Sequence, residues 1–362
     1  MKTIIPDFEY TADPHTLLDD ADFSPLDRLY EGRSVVYGDF HAHSDSGGTS
    51  DGHTTPEEWL VYMDKLHIDF VGLMDHRQVR HQYLDCFDPA RFLYGTEPAG
   101  GIAELNAYPH YLMIFPQRDC LERILERFPE YEFTGGVEGH FKYKKYTRSR
   151  FMEIVAAVLE EGGAFVHAHP RQVLRSENYY DYYFGEHTAI ETIYAESGDS
   201  QLNEHTIDNY KLWREMLDAG LKVYNTATSD CHGEPKSTGI NTLYVAERIC
   251  AAYVDRLRAG DVNAGYIGIK MSIGDTPTGG DAAYAEDKAL LLRADDVHPI
   301  NYDPNEAYRV DIITDRGLAY SAPFTIGFKA ALKLEPRKFY RAEIIRESDG
   351  APAAIGNPIW VK

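Results

Sequence analysis

Short apolar and β-branched segments alternate with stretches of helical periodicity from residue 35 to about residue 239. The strand-like segments cover residues 35–40, 68–74, 92–96, 108–115, 164–168, 190–194 and 222–227. Strands of this length that alternate with helices are typical of βαβ units. The pattern therefore predicts the α/β class with about seven strands.

Local signals mark the ends of the predicted helices. Thr55 and Pro56 offer an N-cap and a proline at N1, and Glu58 stands at the capping-box position. Two further helices are predicted over residues 149–161 and 201–219, each followed by glycine. The charged, tyrosine-rich stretch 116–148 is predicted to be an insertion that either overhangs a site or forms a surface excursion.

The pattern changes after Gly239 and divides the chain into three parts. Strand-like pieces separated by turns follow at residues 266–273, 309–314, 322–328 and 340–346, with a short helical stretch near 251–257. Residues 1–34 are polar and read as a lead-in segment without its own core. We therefore predict a barrel domain over 35–261 and a small all-β, sandwich-like domain over 262–362.

Charge and cysteine usage narrow the function classes. The 362 residues include 36 basic and 58 acidic side chains, a formal net charge of −22. Such acidity attracts cations and disfavours nucleic acid as an obligate partner. Four cysteines without CxxC spacing, no export signal and no apolar run of membrane-spanning length predict a cytoplasmic protein with no membrane partner.

Histidines and carboxylates recur where the predicted strands end. They are His41, His43, Asp51, His76, Glu97, His110, His167, His169, Asp230 and His232. In a parallel βα barrel the carboxyl ends of the strands meet at one mouth, so distant residues become neighbours. Imidazole and carboxylate are the ligands that suit Zn, Mn or Fe. The sequence therefore predicts a metal cluster.

The order HxH, SDG, DH, E, H, HP and DxH over residues 35–235 resembles the polymerase-and-histidinol-phosphatase (PHP) metallohydrolases. This resemblance implies a distorted seven-stranded βα barrel with a trinuclear metal site, and we expect two or three divalent ions to be bound. It also implies the ligands: His41, His43, Glu97 and Asp230 for the first metal, Glu97, His110 and His169 for the second, and Asp51, His76 and His232 for the third. The C-terminal pieces, such as Tyr340-Arg341-Ala342-Glu343, are similar to the carbaryl-hydrolase-like branch, which carries a β-sandwich after the barrel.

The sequence departs from the PHP pattern between HxH and SDG. Residues 44–49 lengthen this loop, so Asp45 competes with Asp51 as a ligand of the third metal. Arg171 and Gln172 follow His169-Pro170, where the family commonly has Gly-Arg. The contacts to substrate are therefore less predictable than the metal ligands.

A metal-bound hydroxide is the expected nucleophile, because a divalent ion lowers the pKa of bound water to about 7. Glu97 is expected to bridge two ions, and His167 is either a proton donor or a supporting core residue. Arg77 and Arg171 either bind an anionic substrate or form ordinary ion pairs. Glu191 and Glu196 flank the sixth predicted strand and are expected either to support the ligands or to lie at the surface, without being ligands themselves.

The leading hypothesis is a phosphoesterase acting on a small phosphomonoester or nucleotide. The alternatives are hydrolysis of a carboxylic ester, carbamate or amide bond, and a non-catalytic metal-binding regulatory module. The sequence predicts neither the exact substrate, nor the native metal, nor the oligomeric state.

Overall fold

The computed structural model describes residues 1–98, 100–131, 145–196 and 200–362, and it has a mixed α/β architecture. The α-helices in these ranges are α1 (Ser24–Tyr30), α2 (Pro56–Leu66), α3 (Arg118–Arg127), α4 (Arg148–Glu160), α5 (Pro170–Val173), α6 (Glu204–Asp218) and α7 (Cys250–Ala259). The strands are β1 (Ser34–Ala42), β2 (Phe70–Leu73), β3 (Tyr94–Thr96), β4 (Gly101–Ile102), β5 (Tyr111–Phe115), β6 (Lys145–Tyr146), β7 (Ala164–His167), β8 (Ala189–Tyr194), β9 (Tyr224–Thr228), β10 (Asn241–Val245), β11 (Val262–Gly265), β12 (Ile267–Ile273), β13 (Thr276–Pro277), β14 (Asp281–Ala282), β15 (Ala289–Val297), β16 (Tyr308–Thr314), β17 (Gly317–Pro323), β18 (Phe328–Lys333), β19 (Phe339–Arg346), β20 (Pro352–Gly356) and β21 (Ile359–Val361). The prediction of the α/β class is therefore confirmed.

Side-chain caps fix the starts of the long helices. The capping box predicted for α2 is confirmed, since Thr55 Oγ1 accepts from the Glu58 backbone at 3.2 Å and Glu58 Oε2 accepts from the Thr55 backbone at 2.9 Å. Helix α6 begins later than predicted, because Asn203 is its N-cap and accepts from Thr206 N at 2.9 Å. Of the predicted insertion 116–148, residues 132–144 lie outside the described residues.

The strands around the site belong to two sheets with mixed directions. Strands β7, β8 and β9 are parallel neighbours, as are β1 and β2, whereas β5 runs antiparallel to both β3 and β7. Isolated parallel bridges connect Ala42 to Cys231, Val71 to Phe92, and His76 to Glu97. These bridges join the two sheets near the ends of β1 and β2.

The C-terminal strands continue one of these sheets. Strand β10, which was not predicted as a separate element, pairs antiparallel with β1 and with β11, and β11 pairs with β20. A separate four-stranded sheet has the order β13-β12-β15-β18. Ile269 and Leu292 of this sheet share a buried apolar core with Ile344 of β19, which belongs to the sheet of β1. Hydrogen bonding therefore runs across residue 262, and the domain boundary predicted there remains a prediction.

The structure in this region differs from one predicted strand and shows where the N-terminal segment lies. The strand predicted at 322–328 is wrong, because β17 ends at Pro323 and β18 begins at Phe328, so the segment spans the connection between them. The N-terminal residues run along the C-terminal strands, with bridges from Ala12 to Leu318 and from Leu17 to Leu332. Among the described residues, no helix is long and apolar enough to cross a membrane.

Candidate metal centre

Strand ends deliver the predicted ligand side chains to one edge of the sheets. His41 lies at the end of β1, His169 follows β7, and Asp230 follows β9. His110 precedes β5. Because β5 is antiparallel to β7, its beginning lies at the same edge as the end of β7. All nine predicted metal ligands reach this edge.

Glu97 is buried at the middle of the cluster, with a side-chain exposure of zero. Its Oε2 lies 3.3 Å from His41 Nε2, 3.4 Å from His43 Nε2 and 3.0 Å from His76 Nδ1. Its Oε1 lies 2.7 Å from His110 Nδ1 and 3.6 Å from His169 Nε2. One carboxylate therefore faces five imidazoles, an arrangement suited to bridging two cations.

Asp230 closes the cluster on the other side. Its Oδ1 lies 3.0 Å from His43 Nε2 and 3.2 Å from His41 Nε2, while its Oδ2 lies 3.7 Å from His169 Nε2. The Nε2 atoms of His41 and His43 are themselves 3.2 Å apart. Two ring nitrogens that face each other and a shared carboxylate form a donor set that a cation between them would satisfy.

Asp51 gathers the outer histidines. Its carboxylate oxygens lie 3.7 Å from His43 Nδ1, 3.5 Å from His76 Nε2 and 3.5 Å from His232 Nε2. Asp45, the alternative weighed from the sequence, is exposed and belongs to none of the ligand groups among the described residues. The geometry thus places Asp51 in this outer group.

Within residues 1–98, 100–131, 145–196 and 200–362, potential ligand atoms form three groups, each with all its atoms within 4.8 Å of one another. The groups are His41, His43 and Asp230; His41, Glu97 and His169; and His43, Asp51, His76 and His232. Two buried ring nitrogens in them, His43 Nδ1 and His169 Nδ1, have no hydrogen-bond partner in the part of the chain that the structure describes. Buried polar atoms without partners are costly, so the donor set fits a bound cation.

Opposite charges dominate the electrostatics of the cluster. Burial by itself would lower the pKa of His43, but its hydrogen bonds to Asp230 and Glu97 outweigh burial and raise the pKa to about 10. Burial would raise the pKa of Glu97, yet the charges of His41 and His110 hold it well below its usual value. Without a metal, protons on the imidazoles therefore balance the carboxylates, and a metal would displace them.

The solvent exposure of the side chains increases from the inside of the cluster to its outer edge. His41 and Glu97 are fully buried, whereas the side chains of His110 and His232 are each 30% exposed and that of Asp51 is 52% exposed. A small molecule can therefore approach from the side of the outer group.

Three of the non-glycine residues with positive φ adjoin or belong to the cluster. Arg77, His169 and Asp230 have φ angles of 56°, 24° and 46°, respectively, although none is glycine. Non-glycine residues at positive φ cost free energy and persist where the surroundings hold them in place. The fold thus accepts strain at three positions that adjoin or belong to the cluster.

Hydrogen bonds to Asp75 hold the loop at residues 44–49, which the sequence predicts to be longer than in the PHP pattern. The buried Asp75 carboxylate accepts from Ser44 N at 2.7 Å, Ser46 Oγ at 2.5 Å and Ser50 Oγ at 2.9 Å. Burial would raise the pKa of Asp75, but hydrogen bonding to His81 and these donors lowers it below its usual value. Sequence reasoning assigned Asp75 no role, although the serines at 44, 46 and 50 were a signal.

The residues predicted to act on substrate lie in different settings. His167 is buried, its ring contacts Tyr182 and Phe184, and burial lowers its pKa to about 3, so it is neutral. Arg171 donates to the Ser176 carbonyl, and its guanidinium lies 5.4 Å from the ring centre of Tyr182.

Arg77 differs from Arg171 in its contacts. Its backbone N–H donates to the Glu97 carbonyl at 3.1 Å, beside the cluster. Its half-buried side chain makes no ion pair with another described residue. Of the two arginines, Arg77 is therefore the one whose guanidinium is not engaged within the described structure.

No family model and no curated protein matches the sequence. Among solved structures, the lesion-specific endonuclease PfuEndoQ of Pyrococcus furiosus is similar over 62% of this chain and 56% of its own, with 16% identity and a TM-score of 0.43. A complex of Endonuclease Q with a 27-mer duplex bearing an abasic lesion gives 13% identity, coverage of 62% and 57%, and a TM-score of 0.42.

A proposed metal-dependent phosphoesterase from Bifidobacterium adolescentis is similar over 56% of this chain and 90% of its own, with 17% identity and a TM-score of 0.35. The chain thus spans little more than half the length of the two endonuclease chains. Similarity at this level assigns neither a family nor an activity.

Proposed function

We propose that this chain is a metal-dependent hydrolase of the PHP type. Residues 35–261 would form the distorted seven-stranded barrel and residues 262–362 a following β domain. The strand pairings support this architecture, because the bridges at Ala42–Cys231 and Val71–Phe92 link the two sheets into a ring of neighbouring strands. The antiparallel β5 accounts for the distortion.

One observation carries the proposal: eight imidazoles and carboxylates, contributed from positions 41 to 232, converge in three groups of ligand atoms within the described residues, and His110 Nδ1 lies 2.7 Å from the Glu97 carboxylate beside them. Mixed nitrogen and oxygen donors suit Zn, Mn or Fe. Two or three ions would be held, with Glu97 shared between two of them and Asp51 in the outer group. When bound, such ions lower the pKa of coordinated water and polarise the oxygen of the bond to be cleaved.

The protein's own residues would orient the substrate and keep the cluster in shape. Arg77 would bind an anionic group of the substrate, because it directly follows His76 in sequence and its guanidinium forms no ion pair with another described residue. His167 would be a supporting residue rather than a proton donor, since a buried imidazole with a pKa of about 3 is neutral near pH 7 and lacks the acidic proton of the imidazolium form. Arg171 would shape the segment around Tyr182.

A phosphoester of a small molecule is the substrate class that fits best. An arginine that directly follows a ligand candidate, as Arg77 follows His76, would complement a phosphate group bound at a divalent cluster. The net charge of −22 repels extended polyanions, so a small phosphomonoester or nucleotide is favoured over nucleic acid.

Metal analysis combined with a substrate panel tests the proposal. The chain would be stripped with chelator, reloaded with Zn, Mn or Fe, and offered chromogenic phosphomonoesters, phosphodiesters and carboxyl esters together with duplex DNA bearing an abasic site. We expect phosphomonoester turnover only in the reloaded protein, and none after Glu97→Gln. Turnover of carboxyl esters alone would instead support the carboxyl-hydrolase alternative.

Arg77→Ala refines the assignment of substrate class. This variant should lower kcat/KM for phosphomonoesters by about 10- to 100-fold, because a charged hydrogen bond contributes roughly 1.5–3 kcal/mol. Arg248→Ala is the matched control, because that exposed arginine pairs with Asp69 away from the cluster. Bound metal without turnover of any substrate would favour the regulatory-module alternative.

A further inference from the structure

Strand β8 (Ala189–Tyr194) supplies none of the nine ligand candidates, yet two of its side chains contact them. Glu191 Oε1 accepts from His41 Nδ1 at 2.8 Å, and Glu191 Oε2 accepts from the backbone N–H of His169 at 2.7 Å. Tyr194 donates its hydroxyl to Asp230 Oδ2 at 2.9 Å. Three ligands of the inner groups are thus tied to one strand.

An irregularity in β8 makes this double contact possible. The pairing of β8 with β9 shifts between Glu191, which faces Thr226, and Ile193, which faces Ala227. In a regular strand, positions 191 and 194 point to opposite faces. The extra residue, Thr192, forms a β-bulge that reverses the alternation of side chains beyond it, so that both Glu191 and Tyr194 point to the cluster.

The core on the other side of β8 shows the same shift. Ile190 and Ile193 are also three positions apart, and both belong to the apolar cluster that contains Trp213 and Leu217 of α6. The bulge therefore sorts two apolar residues to the helix side and two polar residues to the cluster side.

Glu191 determines which nitrogen of His41 faces the cluster. Once the ring is neutral, as metal binding requires, a hydrogen bond from Nδ1 to a carboxylate keeps the remaining proton on Nδ1 and leaves the lone pair on Nε2. That Nε2 lies 3.2 Å from Asp230 Oδ1 and 3.3 Å from Glu97 Oε2. The ring is thus held in the tautomer and orientation that metal binding requires.

The second oxygen of Glu191 acts on His169 through the backbone. His169 has φ 24° and ψ 58°, a strained conformation for a residue with a side chain. The hydrogen bond to its N–H holds this conformation, which brings its ring nitrogen to 3.6 Å from Glu97.

We propose that Glu191 and Tyr194 are positioning residues that set the metal affinity of the inner groups without being ligands. The proposal rests on the proposed function, because it requires that the cluster binds metal. The outer group differs: among the described residues, neither Glu191 nor Tyr194 forms a hydrogen bond or ion pair with Asp51, His76 or His232. Loss of either positioning side chain should therefore weaken only part of the bound metal.

Glu191→Gln and Tyr194→Phe test this proposal by zinc binding. Glutamine offers one acceptor oxygen where the His41 ring and the His169 backbone each need one. Tyr194→Phe removes a single oxygen atom and keeps the buried ring. Thr192→Val is the matched control, since Thr192 lies in the same bulge and donates only to the Thr226 carbonyl.

Zinc affinity would be measured by competition with a chromogenic chelator, together with the thermal stability of each metal-free protein. We expect about 10- to 100-fold weaker binding of the inner ions in Glu191→Gln, about tenfold in Tyr194→Phe, and retention of the outer ion in both. Thr192→Val should bind zinc as the unmodified protein does.

The outcomes separate the two claims. If the unmodified protein binds none of the three candidate metals, zinc, manganese and iron, the proposed function fails. If it binds zinc and both variants match it, the positioning role is overturned while the proposed function stands. Lower metal-free stability with unchanged zinc affinity also overturns the positioning role, because it would show a purely structural contribution.

Discussion

Replacing Asp75 by asparagine should loosen the outer ligand group without touching any ligand. The Asp75 carboxylate accepts hydrogen bonds from Ser44, Ser46 and Ser50, which hold the loop that leads to Asp51. Asparagine keeps one acceptor oxygen and places an NH₂ group at the other position. The bonds from the Ser44 and Ser46 hydroxyls to Oδ2 would then lose their charged acceptor.

The magnitude follows from these two bonds. Hydrogen bonds to a charged group contribute roughly 1.5–3 kcal/mol and neutral ones roughly 0.5–1.5 kcal/mol, so the change costs about 2–3 kcal/mol in all. If loop order is required to hold the outer ion, its affinity falls by up to about 100-fold, since 1.36 kcal/mol corresponds to a factor of ten.

The assay is chelator competition combined with urea unfolding of the metal-free protein. Asp45→Asn is the control, because Asp45 is exposed in the same loop and should change stability by less than about 0.5 kcal/mol. Asp75→Asn should differ from this control in stability and in affinity for the outer ion. Identical behaviour of the two variants would refute the role given to Asp75.

Three further predictions concern protons, a buried histidine and a helix cap. Metal affinity should rise by at least about tenfold per pH unit between pH 6 and 8, because His43, with a metal-free pKa of about 10, must lose its proton to bind a metal. Calorimetric titration counts the protons released, and a pH-independent affinity would contradict this prediction. His167→Asn should lower thermal stability but leave the pH profile of kcat unchanged, because this imidazole is already neutral; a shifted profile would give it a catalytic role. Thr55→Ala should cost about 1 kcal/mol in urea unfolding through loss of the α2 cap, with metal content unaltered, and unchanged stability would argue against the cap.

Features that depend on nearby residues could be predicted from the sequence. The capping box of α2 involves Thr55 and Glu58, three residues apart, and the pattern alone located it. The ligand candidates could also be identified, since each follows or precedes an apolar strand segment. The structure adds their distances, and metal binding itself remains a prediction.

Features that depend on distant partners could not be predicted. Strand β10 is buried throughout although it begins with two polar residues, because Asn241 hydrogen-bonds to the Ala227 backbone and Thr242 to the Gly265 carbonyl. The contact of Glu191 with His41 spans 150 positions. Asp45 and Asp51 could not be separated either, because the loop fold that distinguishes them depends on Asp75.

Anomalous diffraction from crystals grown with manganese or zinc tests the central claim most directly. The proposed metal centre predicts two or three peaks, each within about 2.0–2.3 Å of ligand atoms from the His41, Glu97, Asp230 and Asp51 groups. Peaks confined to the protein surface, with these side chains still paired to one another by hydrogen bonds, would contradict it.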